Sequence, residues 1–426
     1  MSVVVSSRWI AVLVLGGMPA MAVAQQAPAY PTIREIVFSG NETTRANVLL
    51  REMVVHVGDP ADPDRIERSR QAIQDLRLFR SVDLREETAG DGVRLLITLR
   101  EKYYVLPMPR ASANSDGQYS YGLGMRWWNV GGLNHTLHAV VEQGSRQEQG
   151  RGDLLQYRAS YDVPFVFDSP YGLGLSFAHS EEAVTDPLPY DEVSDSARWE
   201  LSRGFGDGPA SEGWRVGGGL QWLSQDRIGP GAPDPAGQAT ALVLFTKYND
   251  LHFNTYSELG SSFRFEAQST AGSLASDYGY HELTAAYDHS WKVGATPHRT
   301  LGVFLEGGMY DGGPAGAVAA FSLGGSDNLR GYPLRVERGN SYYYGGLEFL
   351  QPLHWNWLRG VAFVEAGNVI GEGSNGDPGA VYADVGIGLR MRLNWFVRTE
   401  LNIGYAIPLV DGGDGRSGRV FATGHR

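Results

Sequence analysis

From Val105 to the end of the chain helical periodicity disappears. In its place come about sixteen segments of roughly 8 to 12 residues, most alternating apolar and polar side chains. In Tyr119 to Trp127, Tyr119, Tyr121, Leu123, Met125 and Trp127 share one face, and Ser120, Gly122, Gly124 and Arg126 the other. Phe263 and Phe265 oppose Arg264 and Glu266. Val385, Ile387, Leu389, Met391 and Leu393 oppose Asp384, Arg390 and Arg392, while Val397, Leu401, Ile403, Tyr405 and Ile407 oppose Arg398, Glu400 and Asn402. Period two puts successive side chains on opposite faces of a strand, so the pattern demands antiparallel sheet with one apolar face.

Such a sheet can close as a soluble sandwich or as a membrane barrel. Three features select the barrel. The segments are long for a sandwich, the polar face carries full charges strand after strand, and Trp and Tyr gather at segment ends as interfacial girdles do. The 323 residues from 104 to 426 allow roughly 20 per strand and connection for sixteen strands, which suits spanning strands of about 9 to 11 residues. The segment after Arg416 is short, which leaves fourteen as the other count. A leader reinforces the reading: Arg8, the apolar run Trp9 to Gly17 and Ala22-Val23-Ala24 form an export signal over residues 1–24. That run is shorter than the roughly 20 residues a spanning helix needs.

Residues 30–103 read differently. Thr32 to Ser39 is a strand, and Ala46 to Met53 a short helix. Asp62-Pro63 starts a second helix whose stripe is Ile66, Ala72, Ile73 and Leu76; Ser81 to Glu86 and Val93 to Leu99 are two further strands. The order β-α-α-β-β describes a small α+β module with open sheet edges, which can accept another strand.

Composition narrows the chemistry. A net charge of -12 argues against binding nucleic acid through phosphates, and zero cysteines exclude thiolate chemistry and disulfides. No G-x-S-x-G, P-loop or H-E-x-x-H motif occurs, and His135 and His138 fall on opposite faces of a strand. The expectation is therefore a non-enzyme without metal or other cofactor.

The most specific run is Phe321 to Leu334, F-S-L-G-G-S-D-N-L-R-G-Y-P-L. Its quartet Leu329-Arg330-Gly331-Tyr332 resembles the (V/L)RG(F/Y) motif of the BamA-type, or bacterial surface antigen, superfamily of outer-membrane barrels. Gly346 to Leu353 resembles that family's G-x-E-x-x-x-P-L strand. Phe363-Val364-Glu365-Ala366-Gly367 resembles its F-x-D-x-G strand, with Glu for Asp, and the N-terminal module resembles a polypeptide-transport-associated (POTRA) domain. Alternation turns Glu348, Phe363, Glu365 and Gly367 into the lumen. A loop folded inward could set the planar, permanently charged Arg330 fork between Glu348 and Glu365.

The resemblance implies a lumen latch of Leu329, Arg330, Gly331 and Tyr332 with those four inward residues as acceptors. It also implies a 104–426 barrel in the bacterial outer membrane with its N-terminal domain in the periplasm. The second candidate site is a lateral seam. Pro107 and Pro109 each remove a ladder donor around Met108 in the first barrel strand, and the last strand, bearing Phe421, is short. The expected partners are outer-membrane lipids, unfolded or partly folded client polypeptides and periplasmic accessory proteins. The expected role is insertion or translocation of polypeptides. The alternatives are a passive structural or solute-conducting barrel and a secretion pore dedicated to one partner.

Overall fold

A computed structural model describes residues 30–425 apart from 114–118, 145–153, 185–189, 230–231, 233–236, 271–273, 275, 314–320, 334–335, 372–380 and 411–416. The export signal expected over residues 1–24 lies outside the described residues. Among the described residues no helix is long and apolar enough to cross a membrane.

The N-terminal module runs β1 (Thr32–Ser39), α1 (Ala46–Leu50), α2 (Pro63–Asp75), β2 (Phe79–Ala89) and β3 (Gly92–Glu101). Its sheet has the order β1-β3-β2, parallel on one side of β3 and antiparallel on the other. Asp62 caps α2 by accepting the Asp64 N–H at 3.0 Å, with Pro63 at the first helical position. The helices lie on one face and bury Val48, Leu49, Ile66 and Ile73 against Ile33, Phe79, Leu95 and Ile97. The first helix ends at Leu50, three residues before the sequence pattern runs out: Arg51 and Glu52 meet Asp168 and Ser211 of the barrel, while Met53 is buried in the module core.

Sixteen antiparallel strands follow in one sheet. They are β4 (Val105–Ala113), β5 (Tyr119–Val130), β6 (His135–Gly144), β7 (Leu154–Val163), β8 (Tyr171–Val184), β9 (Tyr190–Phe205), β10 (Gly213–Ile228), β11 (Gly237–Asn254), β12 (Ser257–Thr270), β13 (Tyr280–Lys292) and β14 (Thr300–Gly312). After a two-stranded insertion, β15 (Phe321–Leu323) and β16 (Glu337–Gly339), come β17 (Ser341–Pro352), β18 (Leu358–Ile370), β19 (Tyr382–Leu393), β20 (Thr399–Pro408) and β21 (Arg419–His425). Each barrel strand pairs with its sequence neighbour, and β14 pairs with β17 across the insertion. Sixteen rather than fourteen is correct, because the short last segment pairs with β20 from Glu400↔His425 to Ala406↔Arg419.

The alternation falls as the pattern demands. Tyr121, Leu123, Ile387, Leu401, Ile403 and Tyr405 are exposed on the outer face, where an apolar band meets lipid. Charges pair inside, as Arg198 does with Glu266 at 2.8 Å. Two details differ from the sequence reading. The acidic stretch Glu181 to Asp195 reads in sequence as an outer loop, yet β8 extends to Val184 and β9 begins at Tyr190, and Glu192 pairs with Arg227 at 3.2 Å. The Arg227 guanidinium on β10 compensates the Glu192 charge within the sheet. Val397, grouped above with the lipid-facing side chains of β20, instead precedes that strand and is buried in the core of the N-terminal module.

Candidate functional site

The connection between β14 and β17 turns into the lumen. Its short β15–β16 hairpin packs on β18, and Leu323, Leu329 and Tyr332 join Tyr344, Val369 and Tyr382 in a buried cluster inside the barrel. Gly324 turns the chain at φ +102, where an added Cβ would fall 2.2 Å from the Pro333 carbonyl oxygen. Leu329 is fully buried at φ 44, a left-handed conformation that costs a non-glycine residue about 1–3 kcal/mol and that the surrounding packing must hold.

This places Arg330 at the centre of the site. Its Nε donates to Glu365 Oε1 at 2.7 Å, Nη2 bonds the same oxygen, and its backbone N–H donates to Oε2 at 3.2 Å. Nη1 lies 3.5 Å from Glu348 Oε2. The guanidinium also sits 3.5 Å from the centre of the Phe363 ring and 5.1 Å from that of Phe421. The side chain of Glu365 is 1% exposed, so the pair is screened from bulk water. Gly331 is backed against β19: its N–H donates to Asp384 Oδ2 at 2.7 Å, and a Cβ there would come within 2.9 Å of the Asp384 Cβ. The Tyr332 hydroxyl lies 2.9 Å from the carbonyl oxygens of both Ala383 and Val410. Gly367 faces the insertion from β18, where a Cβ would meet Leu323 at 3.0 Å.

Sequence reasoning missed Asp384, though its inward position on β19 was the available signal. It also missed the ion pairs that carry the site on towards the N-terminal module. Glu348 pairs with Arg390 at 2.6 Å, Arg390 with Glu400 at 3.1 Å, Glu400 with Arg392 at 2.5 Å, Arg392 with Glu258 at 2.9 Å, and Glu258 with Arg77 of the module at 2.7 Å. Charges of alternating sign thus run down the lumen from the loop to the module.

The seam residues divide between two environments. Pro107 and Pro109 are exposed on the outer face of β4, whereas Met108 points inward over Gly124. The ladder to β5 runs unbroken through both prolines, so their missing donors are those directed away from β5. Phe421 is 3% exposed and belongs to the lumen, packed edge-to-face on Phe363 with ring centres 5.6 Å apart. Among the described residues no ladder joins β4 to β21, which stand at opposite ends of the strand order.

The module is seated across the mouth of the barrel. Glu52, fully buried, accepts the Ser211 N–H at 2.9 Å and its hydroxyl at 2.8 Å. Asn47 donates to Asp168 at 2.7 Å, Asn129 to Thr44 at 2.8 Å, and the Tyr103 N–H to the Trp395 carbonyl at 2.9 Å. Burial raises the Glu52 pKa above the usual carboxylate range. Burial, and then the nearby Arg392, Arg77, Arg398 and Arg80 guanidinium groups, lower the Lys102 ammonium to about 7. Lys102 lies 4.9 Å from the centre of the Phe253 ring.

A pH dependence follows. Between about pH 7 and pH 10 the unfolded chain holds a proton on Lys102 that the folded chain releases, so stability of the seated module rises with pH across that window. Lys102→Met should raise the urea midpoint of the module at pH 7 and flatten its rise towards pH 10. An unchanged midpoint at pH 7 would show that the buried ammonium is not a burden there.

An α+β module seated on a sixteen-stranded barrel whose lumen holds an arginine loop defines a class of outer-membrane barrel. Residues 129–426 match the family model described as the Omp85 superfamily domain, and residues 31–102 match the POTRA model, described as a surface antigen variable number repeat. The chain belongs to the Omp85 superfamily. Among solved structures, BamA from Haemophilus ducreyi lacking POTRA domains 1–3 is similar at 18% identity and TM-score 0.53, covering 93% of this chain and 84% of that one. CdiB from Acinetobacter baumannii is similar at 16% identity and TM-score 0.58, over 92% and 73%. CdiB from Escherichia coli is similar at 13% identity and TM-score 0.63, over 92% and 76%. At these identities the likeness is one of fold. The sequence has no significant match among curated proteins.

Proposed function

We propose that this barrel inserts or translocates polypeptides at the outer membrane, with its POTRA domain on the periplasmic side. The observation that carries the reading is the pairing of a buried lumen loop, held by Arg330 on Glu365, with a strand order whose two ends, among the described residues, lack a ladder between them. An open edge offers free N–H and C=O groups to an incoming strand, and in lipid every such group must find a partner. Strand pairing and burial of the client's apolar face in lipid would supply the free energy, without a catalytic residue, nucleotide or cofactor. The outer edges of the POTRA sheet, β1 and β2, would receive clients or accessory proteins by the same strand addition.

Photocrosslinking tests this. A photoreactive residue at Met108 or at the outward-facing Val420 should capture nascent barrel polypeptides in living cells, and one at Leu244, on the far wall, should not. Equal capture at all three sites, or a large steady conductance with no client captured, would favour a passive pore instead.

A further inference from the structure

Where the POTRA domain meets the barrel rim, a cleft opens between α2 and the β9–β10 and β11 hairpins. Asp64 and Glu67 of α2 face Glu212 and Asp250 of the barrel across it, with Arg68 and His252 between them. Four carboxylates against one permanent cation make the cleft strongly acidic. Two of its lining residues, Glu212 and His252, meet Asp75 of α2: each of the three presents one oxygen or nitrogen, and these atoms all lie within 4.8 Å of one another.

Two observations distinguish this cluster from an ordinary acidic patch. The Glu212 side chain is 9% exposed and the Asp75 side chain 5%. Glu212 Oε2 accepts from Arg68 at 3.1 Å, but Glu212 Oε1 is buried with no hydrogen-bond partner. A buried carboxylate oxygen without a donor is costly, and a cation at this point removes the cost. For one pair, which shares a hydrogen bond, the spacing also fits. His252 Nδ1 and Asp75 Oδ2 are 3.0 Å apart. Ligand atoms on one tetrahedral ion at about 2.0–2.2 Å stand only slightly farther apart than that. Asp75 is held for the task, because its other oxygen accepts from Gln71 at 2.7 Å and from the Phe253 N–H.

We propose that Asp75, Glu212 and His252 form a site for a divalent transition ion, with Zn²⁺ as the type, which clamps the POTRA domain to the barrel rim. Imidazole with two carboxylates is the donor set of a borderline ion, whereas Mg²⁺ and Ca²⁺ take oxygen alone. Asp250, whose Oδ1 lies 3.6 Å from His252 Nε2, stands beside the imidazole to orient it. One ligand comes from the POTRA domain and two from the barrel, so the bound ion opposes separation of the two.

The test uses the full chain in detergent, stripped with a chelator and titrated calorimetrically with zinc chloride. One ion per chain is expected, with binding weakened roughly tenfold or more by His252→Ala and by Glu212→Gln. Zinc should also slow hydrogen exchange of the Phe253 amide, which donates to Asp75 at the joint, in the unaltered chain and in neither variant. Both variants lie on the barrel, whose sheet can be checked by circular dichroism, so failure to fold is read separately. No stoichiometric binding to the unaltered chain, or binding that survives both substitutions, would overturn the clamp. The insertion reading stands or falls on client capture instead.

Discussion

Arg330→Ala is expected to free the lumen loop and remove most of the barrel's activity, leaving the sixteen strands assembled. The reason is the carboxylate it abandons. Glu365 is 1% exposed and takes three donors from Arg330, two from the guanidinium and one from the backbone. Removing one member of such a buried pair costs about 3–5 kcal/mol, because the other charge stays buried without compensation. That cost is relieved most readily when the loop leaves. The φ of 44 at Leu329 pushes the same way, since the strain is released once the chain lets go.

The barrel itself is held by its ladders and should survive. A spin label on a cysteine at Ser326, the only thiol in a chain without cysteine, should change from an immobilised to a mobile spectrum in the variant. Client capture at Val420 should fall at least tenfold. Arg330→Lys keeps the charge but loses the fork, and an intermediate result is expected. An immobile label with full capture in Arg330→Ala would show that the loop is held by its apolar cluster alone.

Replacing Pro107 and Pro109 together with valine should also lower activity, but with higher stability. Both side chains lie on the outer face, where valine is at home in lipid, so the change acts through the backbone. It restores two N–H donors on the side of β4 turned away from β5. Each hydrogen bond gained by pairing with β21 is worth about 0.5–1.5 kcal/mol, and in lipid no water competes for the donor. Slower amide exchange in β4 and β21 and a raised melting temperature are expected, with client capture reduced several-fold. Faster exchange in those strands would mean that the prolines brace the edge.

Much of this was legible in the chain because the signals are periodic or local. Period two reveals which residues face lipid, Asp62-Pro63 announces the start of α2, and the inward positions of Glu348 and Glu365 follow from alternation once Arg330 is placed on an inward loop. What was not legible depends on contacts between distant segments. Glu52 reads in sequence as an unremarkable acid near the end of the first helix, and only the fold brings it to Ser211. Phe253 looks like one more strand aromatic, yet Lys102, Arg77 and Arg392 gather around its ring. The acidic stretch around Glu192 reads as loop because the cation that pairs with it, Arg227, lies on the next strand. Phe421 marked an edge in the sequence, and the structure shows its ring turned inward onto Phe363 and Arg330.

The seating of the POTRA domain bears on how the cylinder could part. Its bonds to Asn129 and Gly132 hold the hairpin next to β4, and its bond from Tyr103 to Trp395 holds the hairpin next to β21. The domain therefore straddles the gap like a clasp, fastening both flanks at one end only. A split between the terminal strands would spread as a wedge, narrow beneath the clasp and widest at the opposite rim.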